Sequence, residues 1–384
     1  MTTWAVCLCR LLMLLWGVCF VAPCAEAQTA LRICFYNVEN LFDTDDDPLT
    51  ADDEFTPSGV RHWTSRRLQH KLEGLTRVVS ALGAGRPPAL IGLAEVENDS
   101  VMQRWLRATP MWRMGYEYVM TDSRDVRGID VALFYQPVDF RLLGHESVRV
   151  PLRSAEMRPT RDVLHAWGRI AGGDTLDVLV CHLPSRLGGI RASASHRRAA
   201  HVCLRSVLDS LLSLRGAPHL VVMGDFNDPP STRSLVRNLR LSDPSEGRTL
   251  GRNLPDAKTW TSAGRSDAPR AASGADTALF DLMIPLERAL RRGTISVGSH
   301  KYQGEWNFLD HFLVNGRLLS AGSGVSDVAW CVDTVGVFHL PFMLTDDVTH
   351  LGCRPLRTYY GYRYEAGFSD HLPIFLDLKT SSHP

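Results

Sequence analysis

Seven short apolar runs, at residues 31–36, 89–94, 129–135, 176–181, 219–223, 308–314 and 372–378, punctuate this chain and limit what it can fold into. Each is rich in Val, Ile, Leu or Phe with no polar alternation, the pattern of strands covered on both faces. The covering elements lie between them. Leu68, Leu72, Leu75, Val79 and Leu82 recur at helical spacing behind Thr64 or Ser65 as N-cap, and Ala200, Cys203, Leu204, Val207, Leu208 and Leu211 do the same. Strands alternating with amphipathic helices predict an α/β chain of layered sheets. No Pro/Gly/Ser linker divides residues 28–384, so one domain is expected. Residues 241–278 and 320–364 mix breakers with aromatic and charged side chains and read as long loops over the sheets, suited to substrate selection.

Strand after strand ends in a polar group. Asn37 and Glu39 follow the first run, Glu95 the second, His182 follows Cys181, Asp225 and Asn227 follow Met223, Asp310 lies inside its run, and Asp370-His371 leads into the last. Singly, each is explained by a cap or a turn, as Asp and Asn commonly supply both. Together they are not, because carboxylates set against apolar strands cost several kcal/mol unless paired or metal-bound. Strand ends are also where α/β sheets bind ligands. Oxygen donors without Cys or clustered His favour magnesium, with manganese or calcium as alternatives, over zinc. Magnesium needs few carboxylates and takes substrate phosphate oxygens, which points to phosphate-ester chemistry.

Bulk properties narrow the partner. Lys plus Arg and Asp plus Glu are equal at 42 each, so no broad positive field gathers nucleic acid, although 38 of the 42 basic residues are arginine, well shaped for phosphate. Arg10, the apolar stretch 11–22 and Ala25-Glu26-Ala27 read as an export signal over residues 1–27, giving a periplasmic or secreted protein. Lipidation at Cys24 is disfavoured by Pro23. Cys34, Cys181 and Cys203 read as buried thiols, while Cys331 and Cys353, flanking one insertion, are placed to close it as a disulfide in an oxidising compartment.

The motifs Tyr36-Asn37-Val38-Glu39-Asn40-Leu41, Leu93-Ala94-Glu95-Val96, Cys181-His182-Leu183-Pro184-Ser185-Arg186, Gly224-Asp225-Phe226-Asn227-Asp228, Leu309-Asp310-His311 and Ser369-Asp370-His371-Leu372-Pro373 resemble, in order, those of the endonuclease/exonuclease/phosphatase superfamily. That resemblance implies a four-layer α/β sandwich, two mixed β-sheets face to face with helices outside. It implies Glu95 on the metal with Glu39, Asp370 and Asn37 in or beside its shell. It implies Asp225 and Asn227 orienting the attacking water and binding phosphate, His371 as an imidazolium held by Asp310, and His182 on the opposite side of the phosphate.

Other residues are open to two readings. Arg186 and Arg191 suit substrate phosphate or a solvated loop, Arg127, Asp130 and Tyr135 suit the pocket or a turn, and His311 reads as structural because strand alternation turns it away from Asp310. The expected activity is metal-dependent hydrolysis of a phosphodiester or phosphomonoester. Nucleic acid is favoured slightly over a phospholipid or sugar phosphate, and a non-catalytic binding protein of the same fold is the remote alternative.

Overall fold

The first apolar run extends into β1 (Ala30–Leu41), whose side chains divide by parity between two cores. Leu31, Ile33 and Phe35 enter one and Cys34, Tyr36 and Val38 the other, as the two-residue period of a strand requires. The computed structural model describes residues 30–83, 85–151, 158–186, 188–215, 218–244, 277–319 and 328–382. The export-signal reading of residues 1–27, Cys24 included, lies outside them, as does most of 241–278.

The strands that join β1 in the first sheet are β2 (Leu90–Val96), β3 (Glu117–Met120), β4 (Asp130–Tyr135), β14 (Val328–Val337) and β19 (Ile374–Ser382), in the order β14-β19-β1-β2-β4-β3. β1 and β2 are parallel; the other pairs are antiparallel. The second sheet has seven strands: β5 (Arg141–Val148), β6 (Val163–Arg169), β7 (Thr175–His182), β8 (His219–Asp225), β9 (Leu241–Ser242), β10 (Leu279–Asp281) and β13 (Asp310–Asn315), ordered β5-β6-β7-β8-β13-β10-β9. Its β7–β8 and β9–β10 pairs are parallel.

One core is shared by both sheets: Ile33, Phe35 and Leu376 from the first pack with Val178, Val180, Val221 and Met223 from the second. The sheets approach closely enough that a Cβ on Gly92 would meet the Met223 sulfur at 2.8 Å. The outer faces take the helices. α1 (Ser65–Leu82), capped by the Thr64 side chain, and α2 (Asp99–Ala108), capped by Asn98, bury Leu68, Leu72, Leu75 and Trp105 with Tyr36, Leu93 and Phe134. α3 (Ala194–Arg215) and α4 (Arg233–Leu239) bury Leu204, Leu208 and Leu235 with Leu179, Leu220 and Val222. A fifth helix, α5 (Ile284–Arg291), contributes Leu286 to the inter-sheet core. The architecture is therefore the four-layer α/β sandwich.

The expected late loop is largely not one. Val328–Val337 pairs with β19 as the edge strand of the first sheet, placing Trp330, Val332 and Val335 in the core between the sheets. The rest folds into the ribbons β15 (Leu344–Asp346) with β16 (Cys353–Pro355) and β17 (Tyr359–Tyr360) with β18 (Arg363–Tyr364). No disulfide joins Cys331 to Cys353: the first pairs with Lys379 in the large sheet, the second with Asp346 in a separate ribbon. A last ribbon, β11 (His300–Tyr302) with β12 (Glu305–Asn307), precedes β13.

Candidate active site

Register carries the site on the second sheet. His182 at the end of β7 stands opposite Asp225 at the end of β8, and Asp225 stands opposite Asp310 at the start of β13. Gly224 permits this approach: a Cβ there would lie 2.2 Å from the Cys181 carbonyl oxygen.

On the first sheet the polar residues are aimed by bulges. The β1–β2 register slips between Asn37 and Leu41, and the β2–β4 register between Ala94 and Val96. Glu39, Asn40 and Glu95 adopt φ of 50°, 51° and 63°, and Asn227 adopts 53°. Left-handed backbone at non-glycine residues costs of order 1–3 kcal/mol each and collects where a side chain must be re-aimed.

The two sheet ends meet through Asn37, whose side-chain amide donates to Asp225 Oδ2 at 3.1 Å and reaches Glu95 Oε1 at 3.4 Å. Asp225 Oδ2 also faces His182 Nε2 at 3.6 Å and His371 Nε2 at 3.8 Å. His371 Nδ1 is 2.8 Å from Asp310 Oδ2. The Asn227 backbone N–H donates to Asp225 Oδ1 at 2.8 Å, and its side-chain amide to the Leu183 carbonyl at 3.0 Å. Ser369 Oγ donates to the Asn37 carbonyl at 2.6 Å and accepts from the His371 N–H at 3.0 Å, fixing the last motif to the first. Glu95 Oε2 accepts from the Asn40 N–H at 2.9 Å and lies 3.6 Å from Arg127.

These surroundings separate the two imidazoles. Burial opposes charge on His371, but Asp310 and then Asp225 outweigh it and raise its pKa well above the ordinary value. Burial and the nearby Arg161 and Arg127 push His182 well below it, so His182 is neutral. Its Nδ1 is buried and has no hydrogen-bond partner among the described residues. Asp225 is pushed up to about 7, by burial first, with His371 opposing and Asp310 adding.

Two expected metal residues, Glu39 and Asp370, are engaged by a residue that the motifs do not contain. Arg357, before β17, donates from Nε to Glu39 Oε1 at 3.1 Å and from a terminal nitrogen to Asp370 Oδ2 at 2.8 Å. Burial raises the Glu39 carboxyl to about 7 with Arg357 opposing, while at Asp370 Arg357 and His371 outweigh burial and hold the carboxyl well below its usual range. The buried Lys71 of α1 donates to Thr358 Oγ1 at 2.6 Å and to the Glu39 carbonyl.

His300 was also invisible to motif reading. It bridges His371 through the backbone, its ring centroid is 4.7 Å from that of His371, and its buried Nδ1 has no hydrogen-bond partner among the described residues. Burial first, then His371, lowers it to about 4. A lysine inside the apolar stripe of α1 was a readable signal for Lys71; His300 and Arg357 left none in their spacing.

Other expectations shift. Arg186 does not face the centre: its Nε donates to buried Asp228 at 2.7 Å and it bonds Thr232. Arg191 is exposed in the turn before α3. Asp130 accepts from Thr121 at 2.5 Å and Tyr135 donates to Glu117 at 2.7 Å, so both brace turns and strands while Arg127 reaches the site. His311 is fully buried between Asp281 and the Asp228 carbonyl.

Ligand-capable atoms of Asp225, Asp310 and His371, and of His300, Asp370 and His371, cluster within 4.8 Å. Both clusters centre on His371, which Asp310 and Asp225 hold protonated, and an imidazolium has no lone pair free to bind a cation. Glu95, its side chain 14% exposed and outside the Arg357 pairs, suits a hard cation better.

A model of the Endonuclease/Exonuclease/phosphatase family matches residues 32–258 and 252–380. Among solved structures, an endonuclease/exonuclease/phosphatase family protein from Bacteroides thetaiotaomicron is similar at 13% identity and TM-score 0.50, over 92% of this chain and 98% of that one. An endonuclease/exonuclease/phosphatase from Bacteroides vulgatus gives 14% and 0.50, over 92% and 100%. A mannosyl-6-phosphatase from Bacteroides thetaiotaomicron gives 14% and 0.49, over 91% and 99%. At these identities the likeness to the first two is one of fold. Comparison with curated proteins gave no match.

Proposed function

The chain belongs to the endonuclease/exonuclease/phosphatase family, and from that premise we propose that it is an exported hydrolase cleaving a phosphodiester with a divalent cation, magnesium first. The observation that carries this reading is the meeting of both sheet ends at Asp225, with Asn37 at 3.1 Å, neutral His182 at 3.6 Å and cationic His371 at 3.8 Å.

The donor set suits the cation: Glu95 offers carboxylate oxygen, Asn37 turns its amide N–H groups to Glu95 and Asp225 while its amide oxygen accepts from the Glu39 N–H, and magnesium readily completes its shell with water and phosphate oxygens. When bound there, the cation would neutralise phosphoryl charge and acidify water. The chain's own groups supply the rest. Asp225, with a pKa near 7, takes the proton of the attacking water, and the Asn227 N–H holds its other oxygen in place. His371, kept protonated by Asp310, lends positive charge to the phosphoryl oxygens as it grows in the transition state. His182 faces the same region as a neutral hydrogen-bonding group.

Substrate choice draws on a pocket of about 160 Å³ beside the centre, lined by Asn40, Phe55, Arg61, Arg357 and Tyr359. Aromatic rings with arginine suit a nucleotide, whose base stacks while its phosphate meets cations. A phospholipid or sugar phosphate is the second reading, favoured by exposed Val348, Leu351 and Tyr362 on the late segment. Export rests on residues 1–27 alone.

The test is turnover of bis-p-nitrophenyl phosphate, p-nitrophenyl phosphate, plasmid DNA and sphingomyelin with magnesium, manganese or EDTA. Cleavage that EDTA removes and Asp225→Ala abolishes supports the chemistry, and the substrate that responds names the class. Turnover untouched by EDTA would refute the cation; silence on all four would favour a binding protein.

A further inference from the structure

Both oxygens of Glu39 are already taken. Oε1 accepts from Arg357 at 3.1 Å and Oε2 from the Thr358 N–H at 2.9 Å, while Arg357 also holds Asp370 at 2.8 Å. One guanidinium thus bridges two carboxylates that sit beside the Glu95 centre, in the forked geometry that suits arginine and not lysine.

Arg357 is not a surface residue that fell onto these acids. Its backbone is fixed on both sides: the Leu356 N–H donates to the Met343 carbonyl at 2.9 Å, the Phe368 N–H to the Leu356 carbonyl at 2.7 Å, and the Gly367 N–H to the Arg357 carbonyl at 3.2 Å. Thr358 is clamped by buried Lys71, which also holds the Glu39 carbonyl. A divalent ion binding Glu39 and Asp370 together would have to expel the guanidinium, and the displaced charge would remain near Lys71.

We propose that Arg357 is a built-in counter-cation: it occupies the Glu39–Asp370 side of the site, confines the protein to one divalent ion at Glu95, and weakens that ion's binding. The proposal rests on the cation reading above and adds what sets the number and affinity of ions. By linkage, if Arg357 and the ion oppose each other, removing one strengthens the other, and couplings between such sites commonly reach about 5–150-fold.

The experiment is calorimetric titration of the purified protein with manganese alone, with no substrate. The wild type should take up one equivalent. Arg357→Gln should bind manganese on the order of tenfold more tightly, or take up a second equivalent. Arg357→Lys keeps one charge but cannot bridge both acids, and it should gain less; it carries the comparison if Arg357→Gln does not fold. Two equivalents in the wild type, or a folded variant with unchanged or weaker binding, would overturn the proposal. A wild type that binds no manganese would instead remove the cation reading, and this inference with it.

Discussion

His371 separates catalysis from scaffolding at the level of one proton. Its Nδ1 lies on Asp310 and its Nε2 faces Asp225, so it stays protonated well past the ordinary imidazole range, while Asp225 must lose a proton near 7 to act as base. Activity should therefore rise through about 7, or lower where a bound cation stabilises the carboxylate, and fall only at alkaline pH. His371→Ala should lose roughly 10²–10³ in kcat and its pH profile should lose the alkaline limb. A limb that survives in the variant would assign it to another group. Residues of this kind were legible because they stand at strand ends in the order the family uses. Arg357 and His300 were not legible: His300 reaches the site from the β11–β12 ribbon and Arg357 from the link between β16 and β17, and nothing in a short polar segment tells which strand end it will cover. Arg186 misled for the converse reason, since its motif position is right but a buried carboxylate, Asp228, captured it.

At the scale of elements, what positions the chemistry is the tight contact between β7 and β8. Gly224 has no room for a side chain, with the Cys181 carbonyl oxygen at 2.2 Å and its sulfur at 2.6 Å from where a Cβ would stand. Backbone cannot yield as a flexible side chain can, so Gly224→Ala must push the strands apart. We expect a loss of about 1–3 kcal/mol in stability, read by thermal unfolding, together with lower kcat as His182 and Asp225 separate. Gly92→Ala is the control, because its obstacle is the mobile end of Met223, and it should cost less. Equal losses would mean that side-chain crowding and backbone crowding are not distinguished here. Apolar periodicity found seven strands, β1, β2, β4, β7, β8, β13 and β19, and the two long helices, but not β6, although it is buried on both faces. It missed β5, whose side chains are all exposed or half-buried, and β14, whose apolar run is interrupted at Asp333, Thr334 and Gly336. It also could not see the bulges that turn Glu39 and Glu95, since a one-residue slip in register has no composition of its own.

For the whole molecule, the shared core between the sheets means that the site cannot be loosened without opening the sandwich, so ion binding at the site should be felt in global stability. The sign follows from the carboxyls. Asp225, raised to about 7, favours the folded state while protonated, and that contribution is lost as pH rises through about 7. The raised His371 contributes fully below the ordinary imidazole value near 6.5 and loses that contribution as pH rises from there through its folded pKa, whereas the lowered Asp370 loses its contribution only as pH falls into acid. Between pH 5 and 8 the ion-free protein therefore accumulates unrelieved negative charge at the strand ends, and a divalent ion finds more ionised carboxylate to bind. Saturating manganese at about 100 times its Kd adds roughly 2.7 kcal/mol. The rise in Tm on adding manganese should consequently be larger at pH 8 than at pH 5, a few degrees at most for a chain of this size. A rise that is equal at both pH values would show that the ion binds away from Asp225, and the site would have to be rebuilt around the His300, Asp370 and His371 cluster.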